Sequence, residues 1–364
     1  MNATHRLHAQ GQSLWLDNIT RGLLDSGTLA RYIDEFSVTG LTSNPTIFEQ
    51  AIGGSEDYDA AIRAQAGKGT SDEALFFGLA IDDLARAADL FRPVHDATDG
   101  VDGWVSLEVS PLLANDTAGT IQVAAELHAR AARPNLFIKI PGTPEGIPAI
   151  EASIFAGVPI NITLLFSSAH YVAAAEAYLR GIERRIAAGR DPKVASVASL
   201  FISRWDVAVK DSAPPSLRNR LGIAVAMQAW RAYRELLASP RWQKLAAAGA
   251  RPQRMLWAST GTKDPAAPDT LYVDALAGPD SIDTMPEKTL KAFADHGQPG
   301  PGLPDDGGDA DAVLAEFGRA GIDVDALAER LQREGADAFA KSWQKLLQGL
   351  AAKTQRLAPQ AAAR

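Results

Sequence analysis

The 364-residue sequence contains no cysteine, which excludes disulfide bonds, thiolate nucleophiles and cysteine-ligated metals. Histidine is scarce as well: there are six, and only His5 and His8 lie near each other. Both fall in residues 1–12, which we predict to be an N-terminal tail, so we expect them to be solvated. The sequence therefore predicts no metal site.

Long apolar runs are also missing. No segment reaches the roughly 18 apolar residues of a membrane span, and residues 1–12 lack the apolar stretch of a signal peptide. We therefore expect a soluble, cytoplasmic protein with no membrane partner. Hydrophobic residues nevertheless make up 46% of the chain, which is enough for a large core.

An excess of positive charge is absent too. The chain has 36 Lys and Arg against 44 Asp and Glu, a formal net charge of -8, which argues against a nucleic-acid-binding surface. Any anionic ligand must therefore be bound by local cations. Nucleotide-binding glycine motifs are missing as well, since Gly67-Lys68-Gly69 lacks the spacing of a phosphate-binding loop.

What the sequence does contain is an alternation of short β-like runs and amphipathic helical stretches. Eight runs are typical of buried strands: Ser13–Asn18, Val38–Asn44, Trp104–Ser110, Leu136–Pro141, Pro159–Phe166, Val194–Ile202, Met255–Ser259 and Thr270–Leu276. The helical stretches include Asp72–Phe91, Thr117–Ala132, Ser168–Ala188 and Ser216–Ala238. Eight such units favour an α/β fold of the (β/α)8 TIM barrel type over a doubly wound sheet. Two spacings are irregular: the gap after Asn44 is long and includes extra helical material, and the gap between Ser259 and Thr270 is too short for a full crossover helix.

The chain is predicted to have four parts. They are a tail (residues 1–12), a barrel catalytic domain (13–296), a Pro/Gly linker (297–308) and a C-terminal helical appendage (309–364). The linker, GQPGPGLPDDGG, cannot form regular structure. The appendage reads as helices over Ala310–Gly321 and Val324–Lys353, with Asp323 as the cap of the second. We expect it to pack on the barrel, because amphipathic helices need a partner surface.

Lys139 has an unusual position. It lies inside Leu136–Pro141, an apolar run with the length of a buried parallel strand. Taking an ammonium out of water is costly unless it is paired. A neutral lysine amine is a nucleophile that forms a Schiff base with a carbonyl substrate. Alternatively, Lys139 lies at a strand end and reaches water, or pairs with a carboxylate such as Glu108 for structural reasons.

Further polar residues lie near the carboxyl ends of the predicted strands, where the active sites of such barrels are found. They are Asp17, Asn44, Glu108, Asn161, Thr163, Ser199, Arg204, Ser259 and Lys263. The spacing of Asn161 and Thr163 places them on one face, which we expect to be the barrel interior. Taken singly, Asp17 or Asn44 is a cap or turn residue and Arg204 a solvated charge. Together these residues predict one polar pocket suited to carbonyl chemistry with proton transfer.

Two long motifs resemble those of the transaldolase family. The first is Gly40–Phe48, GLTSNPTIF, and the second is Leu136–Thr143, LFIKIPGT, followed by EGI. In the family, the second motif carries the Schiff-base lysine. The resemblance continues through Asn161–Ser167, Asp17 and Glu108, and it covers about residues 13–290 in the family's order. The extended form of the family, with extra C-terminal helices, is the closer match.

The resemblance implies a class I aldolase-type reaction of the pentose phosphate pathway. A dihydroxyacetone unit would move from sedoheptulose 7-phosphate or fructose 6-phosphate to an aldose phosphate, glyceraldehyde 3-phosphate or erythrose 4-phosphate. Lys139 would form the iminium, and Asp17 would move the proton of the hydroxyl whose carbon–carbon bond breaks. Glu108 with Thr163 would position the water of imine formation and release. Because the iminium withdraws electrons, neither a metal nor an organic cofactor is required.

The resemblance also implies a set of substrate-binding residues. They are Asn44, Asn161, Ser199, Phe201, Arg204, Ser259 and Lys263. The two asparagines would hold donor hydroxyls, with the first serine beside them, and Phe201 would shape the pocket wall. Arg204 and Ser259 would receive the phosphate. Shorter family members have an arginine soon after this serine, whereas this chain has STGTK, so the second phosphate cation is either Lys263 or absent.

Two other functions remain open at this point. One is a fructose-6-phosphate-type aldolase that releases free dihydroxyacetone, as short relatives of the same fold do. The other is a catalytically silent barrel that acts as a binding protein, with Lys139 structural. The expected partners are phosphorylated ketose and aldose substrates, and the chain is expected to be a monomer or a homodimer.

Overall fold

The computed structural model describes residues 2–65 and 68–358. Eight parallel strands form a closed barrel, in which each strand pairs with the next in sequence and the last pairs with the first. The strands are β1 (Ser13–Asp17), β2 (Val38–Thr42), β3 (Trp104–Glu108), β4 (Leu136–Pro141), β5 (Ile160–Leu165), β6 (Ser196–Phe201), β7 (Arg254–Ala258) and β8 (Ser281–Met285). The predicted (β/α)8 TIM barrel is therefore confirmed.

Helices surround the barrel and fill the crossovers. They are α1 (Ala3–Ala9), α2 (Arg21–Asp25), α3 (Thr28–Phe36), α4 (Pro45–Gly54), α5 (Asp59–Gln65), α6 (Asp72–Ala97), α7 (Thr117–Ala131), α8 (Gly146–Ala156), α9 (Ser168–Ala187), α10 (Ser203–Val209), α11 (Leu221–Ala238), α12 (Pro240–Ala247), α13 (Leu271–Ala275), α14 (Glu287–His296), α15 (Ala310–Arg319) and α16 (Val324–Leu357). Two short 3-10 helices cover Pro111–Leu113 and Pro215–Leu217. Within the described residues, none of the helices combines the length and the apolar composition needed to cross a membrane.

The eighth strand is not where the sequence predicted it. Most of Thr270–Leu276 forms the short helix α13, whose start is fixed by a 2.6 Å hydrogen bond from the Thr270 hydroxyl to Asp274. The barrel closes with β8 instead, which pairs with both β7 and β1. The irregular spacing after Ser259 is thereby explained. The strand was missed because its central residue, Asp283, is charged in solution and interrupts an apolar run that is already short.

Aromatic rings fill the N-terminal end of the barrel. Trp104 and Phe137 stack with ring centres 4.1 Å apart, and Trp15 donates a hydrogen bond to Asp102 at 2.8 Å. Gly40 makes room for this packing, since a Cβ at that position would lie 2.6 Å from the indole nitrogen of Trp15. Because this end is filled, the open end at the carboxyl termini of the strands is the place for a cavity.

The N-terminal segment is not simply the expected tail. Residues 3–9 form α1, and the Asn2 side chain caps it by accepting a hydrogen bond from the His5 backbone nitrogen. Leu7 is fully buried, and α1 packs against α14 and β1. Burial of this apolar face stabilises the segment on the barrel.

The described residues contain no group of three or more His, Cys, Asp or Glu that could hold a metal ion.

The segment between the barrel and the last two helices has no regular structure. Residues 297–308 contain neither helix nor strand, and the Gly300 backbone nitrogen ties the segment to the barrel layer by a 2.9 Å hydrogen bond to the Asp274 carbonyl. Asp323 caps α16 as predicted, accepting a hydrogen bond from a backbone nitrogen in the first turn. The last six residues of the predicted appendage, 359–364, lie outside the described residues.

Helix α16 lies across the open end of the barrel. Gln332 donates hydrogen bonds to the carbonyls of Gly142 and Leu164, at 3.0 and 2.9 Å, where β4 and β5 end. Nearer the C-terminus of the helix, the buried Lys353 pairs with Asp59 at 2.7 Å. These buried polar contacts fix the helix over the strands that carry the candidate site.

Candidate active site

A cavity of about 130 Å³ opens at the carboxyl ends of the strands. Nine of the predicted site residues line it: Asp17, Asn44, Lys139, Thr163, Ser199, Phe201, Arg204, Ser259 and Lys263. The other two, Glu108 and Asn161, are buried and do not line it. A larger cleft of about 320 Å³ lies beside α10 and α13 but shares only Lys263 with this cavity. Because the other polar strand-end residues converge on the smaller cavity, it is the candidate active site.

Lys139 is buried inside the barrel and is 5% exposed. The strand register places it between Glu108 of β3 and Asn161 of β5. Its Nζ donates a hydrogen bond to the Ser43 carbonyl at 3.1 Å and lies 3.3 Å from Glu108 Oε2. The amine is thus paired with a carboxylate and held inside the cavity wall, where it can meet a substrate carbonyl.

Asp17 ends β1 and faces the same cavity. Thr42 donates its hydroxyl to Asp17 Oδ1 at 2.7 Å, and the Thr284 hydroxyl lies 2.7 Å from that of Thr42. Burial raises the pKa of Asp17, while the charge of Lys139 and the hydrogen bond from Thr42 oppose the rise. A raised pKa brings the carboxyl group toward the range in which it can both take and give a proton.

Glu108 lies beside Lys139 on β3, and Thr163 lies on β5, two residues beyond Asn161, the register partner of Lys139. Burial raises the pKa of Glu108, and the adjacent Lys139 ammonium opposes the rise. The Thr163 hydroxyl is fully buried, and it has no hydrogen-bond partner among the described residues. A buried hydroxyl without a partner is costly, so a functional role at this position is physically reasonable. That the two groups position a water molecule beside the amine stays a prediction.

The predicted amides occupy two different layers. Asn44 caps α4, since its side-chain oxygen accepts a 3.0 Å hydrogen bond from the Ile47 backbone nitrogen, and it also lines the cavity. Asn161 lies deeper, where it donates to Ser106 at 3.0 Å and accepts from Ser199 at 2.7 Å. The geometry therefore makes Asn161 a support for Ser199. A direct contact between Asn161 and the donor stays a prediction.

Arg204 follows β6, in the first turn of α10. Its guanidinium carbon lies 4.9 Å from the ring centre of Phe201 and 5.6 Å from that of Phe339. Among the described residues, it forms no hydrogen bond or ion pair within 4.0 Å. Burial lowers the pKa of Arg204, and the charge of Glu108 opposes this effect. A largely buried guanidinium with free donors is well suited to bind an anion.

The turn after β7 brings two further predicted residues to the cavity. Ser259 has φ +59°, an uncommon conformation for a residue other than glycine, and its hydroxyl lies 2.9 Å from that of Ser203. Lys263 reaches back over Gly261, so that its ammonium would lie 3.7 Å from a Cβ at position 261. The lysine ammonium thus lies close to this turn, beside the cavity.

Three of the residues that line the cavity and were not predicted from the sequence are Thr42, Thr284 and Phe339. Thr42 lies in the predicted strand Val38–Asn44, but no role was predicted for it, and Thr284 belongs to the strand that was misplaced. The third, Phe339, comes from α16, and an amphipathic pattern does not mark which residue enters a distant site. One signal was available, because Gly335 interrupts this 34-residue helix. A Cβ there would lie 3.0 Å from the Arg204 side chain, so the glycine permits the close crossing.

Comparison with known proteins agrees with this geometry. The family model described as transaldolase/fructose-6-phosphate aldolase matches residues 14–350, which include Lys139 and Phe339. The chain is 47% identical over 350 residues to a transaldolase of Parafrankia sp., covering 94% of this chain and 95% of the relative. It is 46% identical over 355 residues to a transaldolase of Thiobacillus denitrificans, covering 95% and 99%. It is also 46% identical over 348 residues to a transaldolase of Acidothermus cellulolyticus, covering 93% and 94%.

Proposed function

The chain belongs to the transaldolase/fructose-6-phosphate aldolase family and is an enzyme of the transaldolase type, and we propose that it works through a Schiff base on Lys139. Its substrates are phosphorylated sugars, as the family implies. In the proposed reaction, a dihydroxyacetone unit moves from sedoheptulose 7-phosphate or fructose 6-phosphate to glyceraldehyde 3-phosphate or erythrose 4-phosphate. This is a reaction of the non-oxidative pentose phosphate pathway.

The first half of the proposed reaction breaks the donor. The Lys139 amine adds to the ketose carbonyl, and loss of water, held by Glu108 and Thr163, gives the iminium. The Asp17 carboxylate then takes the proton of the donor hydroxyl as the neighbouring carbon–carbon bond breaks. The bonding electrons move into the iminium and form an enamine, and the aldose phosphate product leaves.

The second half reverses these steps with a new aldose phosphate. The enamine attacks the acceptor aldehyde, and Asp17 returns its proton to the oxygen that becomes a hydroxyl. Water positioned by Glu108 and Thr163 then hydrolyses the new iminium and frees Lys139. Throughout, Arg204, Ser259 and Lys263 hold the phosphate, while Asn44 and Ser199 lie beside the donor hydroxyls.

The observation that carries this proposal is the pairing at the end of β3 and β4. The Lys139 amine is 5% exposed and lies 3.3 Å from the Glu108 carboxylate, in a cavity that Asp17 also lines. A structural ion pair alone would not explain two further polar groups around it, namely the Thr163 hydroxyl and the Arg204 guanidinium, neither of which has a hydrogen-bond partner among the described residues. Carbonyl chemistry on a phosphorylated sugar uses all of them.

Borohydride trapping tests the proposal directly. Incubation with fructose 6-phosphate and sodium borohydride reduces the iminium to a stable amine, so peptide mass spectrometry should find one three-carbon or sugar adduct on Lys139. Lys353 is an internal control, because it is also buried but pairs with Asp59 away from the cavity. Labelling of another lysine, or full turnover by Lys139→Ala, would contradict the proposal. Absence of both labelling and turnover in the wild-type protein would favour the silent barrel.

The alternative activity, release of free dihydroxyacetone, differs only in the fate of the enamine. Helix α16 covers the open end of the barrel, and its Phe339 ring lies 5.9 Å from Lys139 Nζ. This cover limits the access of water to the enamine and so supports transfer to an aldose over release. Measuring transfer and free dihydroxyacetone in one assay separates the two. A monomeric or homodimeric state and a cytoplasmic location stay predictions.

A further inference from the structure

The turn that follows β7 has to be held in an uncommon conformation. Ser259, whose hydroxyl faces the cavity, has φ +59°, and such a conformation persists in a non-glycine residue only where its surroundings enforce it. Two contacts come from Ser203 of α10, whose hydroxyl is 2.9 Å from that of Ser259 and whose backbone nitrogen donates to the Ser259 carbonyl at 3.0 Å. The opposite side of the turn must supply the rest.

Thr260 supplies contacts on that opposite side. It is fully buried, and its hydroxyl lies 2.8 Å from Asp283 Oδ1 and 3.1 Å from the Thr284 carbonyl. Both acceptors belong to β8. This hydroxyl therefore links the turn to β8, the strand that closes the barrel. Thr260 directly follows Ser259 in the chain and lies three residues before Lys263.

Asp283 is otherwise unexplained. It is fully buried on the face of β8 opposite to the cavity residue Thr284, and its Oδ2 has no hydrogen-bond partner among the described residues. Burial raises the pKa of Asp283 to about 7, with the Thr260 hydrogen bond opposing the rise. Burying a carboxyl group with one oxygen unpaired costs free energy of folding, so its presence calls for an explanation. No step of the proposed reaction uses it.

We propose that Thr260 and Asp283 are positioning residues for the phosphate end of the substrate. Through their hydrogen bond they hold the Ser259–Lys263 turn in the conformation that places the Ser259 hydroxyl and the Lys263 ammonium opposite Arg204. This inference rests on the proposed function, since it assigns a purpose to the same phosphate site. It also accounts for a fully buried polar pair that the proposed reaction does not use.

The test uses the full-length enzyme and separates binding of the phosphate from the chemistry of the amine. Thr260→Val keeps the volume of the side chain and removes its hydroxyl. We expect the KM for fructose 6-phosphate to rise about tenfold, the usual scale for one lost buried hydrogen bond, while kcat changes little. Borohydride trapping with unphosphorylated dihydroxyacetone should remain at the wild-type rate, because that substrate has no phosphate.

Further variants make the test specific. Thr260→Ser restores the hydroxyl and should return KM to near the wild-type value, whereas Asp283→Leu removes the acceptor and should raise KM as Thr260→Val does. The double variant should be no worse than either single variant, because both remove the same bond. Thr39→Val is the matched control: Thr39 is a buried threonine at the opposite end of the barrel, so its loss should leave KM unchanged.

The possible outcomes separate this inference from the proposed function. An equal loss of trapping with dihydroxyacetone and of turnover with fructose 6-phosphate would overturn the positioning role, as would failure of Thr260→Ser to restore KM. If Thr260→Val does not fold, the KM values of Asp283→Leu, which lacks the acceptor, and Thr260→Ser, which keeps the donor, are compared instead. Absence of trapping in the wild-type enzyme itself would instead overturn the proposed function.

Discussion

The ring of Phe339 covers the guanidinium of Arg204 at 5.6 Å, and so joins the last helix of the chain to the residue that follows β6. The same ring lies 5.9 Å from Lys139 Nζ. One side chain of α16 therefore touches both the proposed nucleophile and the proposed phosphate cation. This arrangement makes α16 part of the active site and not only a cover on the barrel.

The first prediction concerns this ring. Phe339→Ala removes a cation–π contact of about 0.5–2 kcal/mol, so we expect the KM for fructose 6-phosphate to rise by about two- to thirtyfold. It also opens the cavity to water, and free dihydroxyacetone should rise relative to transfer product. Phe155→Ala is a matched control, because Phe155 packs on Arg184 at 4.3 Å on the outside of the barrel. Unchanged KM and product ratio in Phe339→Ala would contradict a role for the ring.

A second prediction addresses the phosphate. Charge-assisted hydrogen bonds contribute about 1.5–3 kcal/mol each, so Arg204→Ala should raise the KM for phosphorylated donors by roughly ten- to hundredfold. Lys263→Ala should raise it less, because an ammonium lacks the bidentate geometry of a guanidinium. Trapping with unphosphorylated dihydroxyacetone should barely change in either variant. Lys210→Ala serves as the control, since Lys210 lies in the neighbouring cleft and not in the cavity. Equal loss of trapping in both test variants would refute the assignment.

The third prediction separates the two carboxylates. Asp17→Asn should still form the imine with fructose 6-phosphate but cleave it slowly, with turnover reduced by about 10²-fold or more. Glu108→Gln should slow imine formation itself, because Glu108 is the group beside the amine. Rapid-quench borohydride trapping measures imine formation, and release of glyceraldehyde 3-phosphate measures cleavage. Indistinguishable trapping rates in the two variants would show that the division of roles is wrong.

A fourth prediction concerns the stability of the fold. Burial raises the pKa of Asp283 to about 7 from the 3.8 of an exposed aspartate, so between these values the folded state binds more protons than the unfolded state. The contribution of Asp283 to stability is therefore fully present below about pH 4, is lost as pH rises to about 7, and is constant above that.

Asp283→Asn removes this contribution. Urea unfolding of both proteins at pH 5 and pH 8 should show that the wild type loses more stability over this range than the variant, with a difference of about 1.4 kcal/mol for each pH unit within the titrating range. Asp211→Asn, which changes an exposed carboxylate, is the control. A difference between wild type and Asp283→Asn that does not depend on pH would rule out a raised pKa at Asp283.

Much of the fold and of the site could be predicted from the sequence, for physical reasons. Seven of the strands lie within short runs rich in apolar residues, because parallel strands in a barrel are buried on both faces. Lys139 stood out as a charge inside such a run. Asp17, Thr163 and Arg204 followed from the rule that barrel sites lie at the carboxyl ends of strands.

The remainder depended on contacts between distant parts of the chain. Asp283 is tolerated inside β8 through its bond to Thr260, a partner that local patterns do not reveal. Helix α16 was predicted as a helix, but the residue that enters the cavity is decided by where the helix docks. That docking depends on Gln332 reaching the carbonyls at the ends of β4 and β5.

The position of α16 in the chain also sets an order of events during synthesis. All eight strands precede residue 286, so the barrel can close while Val324–Leu357 is still within or just leaving the ribosome. At that moment the amine and both carboxylates are already assembled, but the ring of Phe339 is not. The nascent protein would therefore assemble the surroundings of Lys139 before Phe339 of α16 closes the cavity around it.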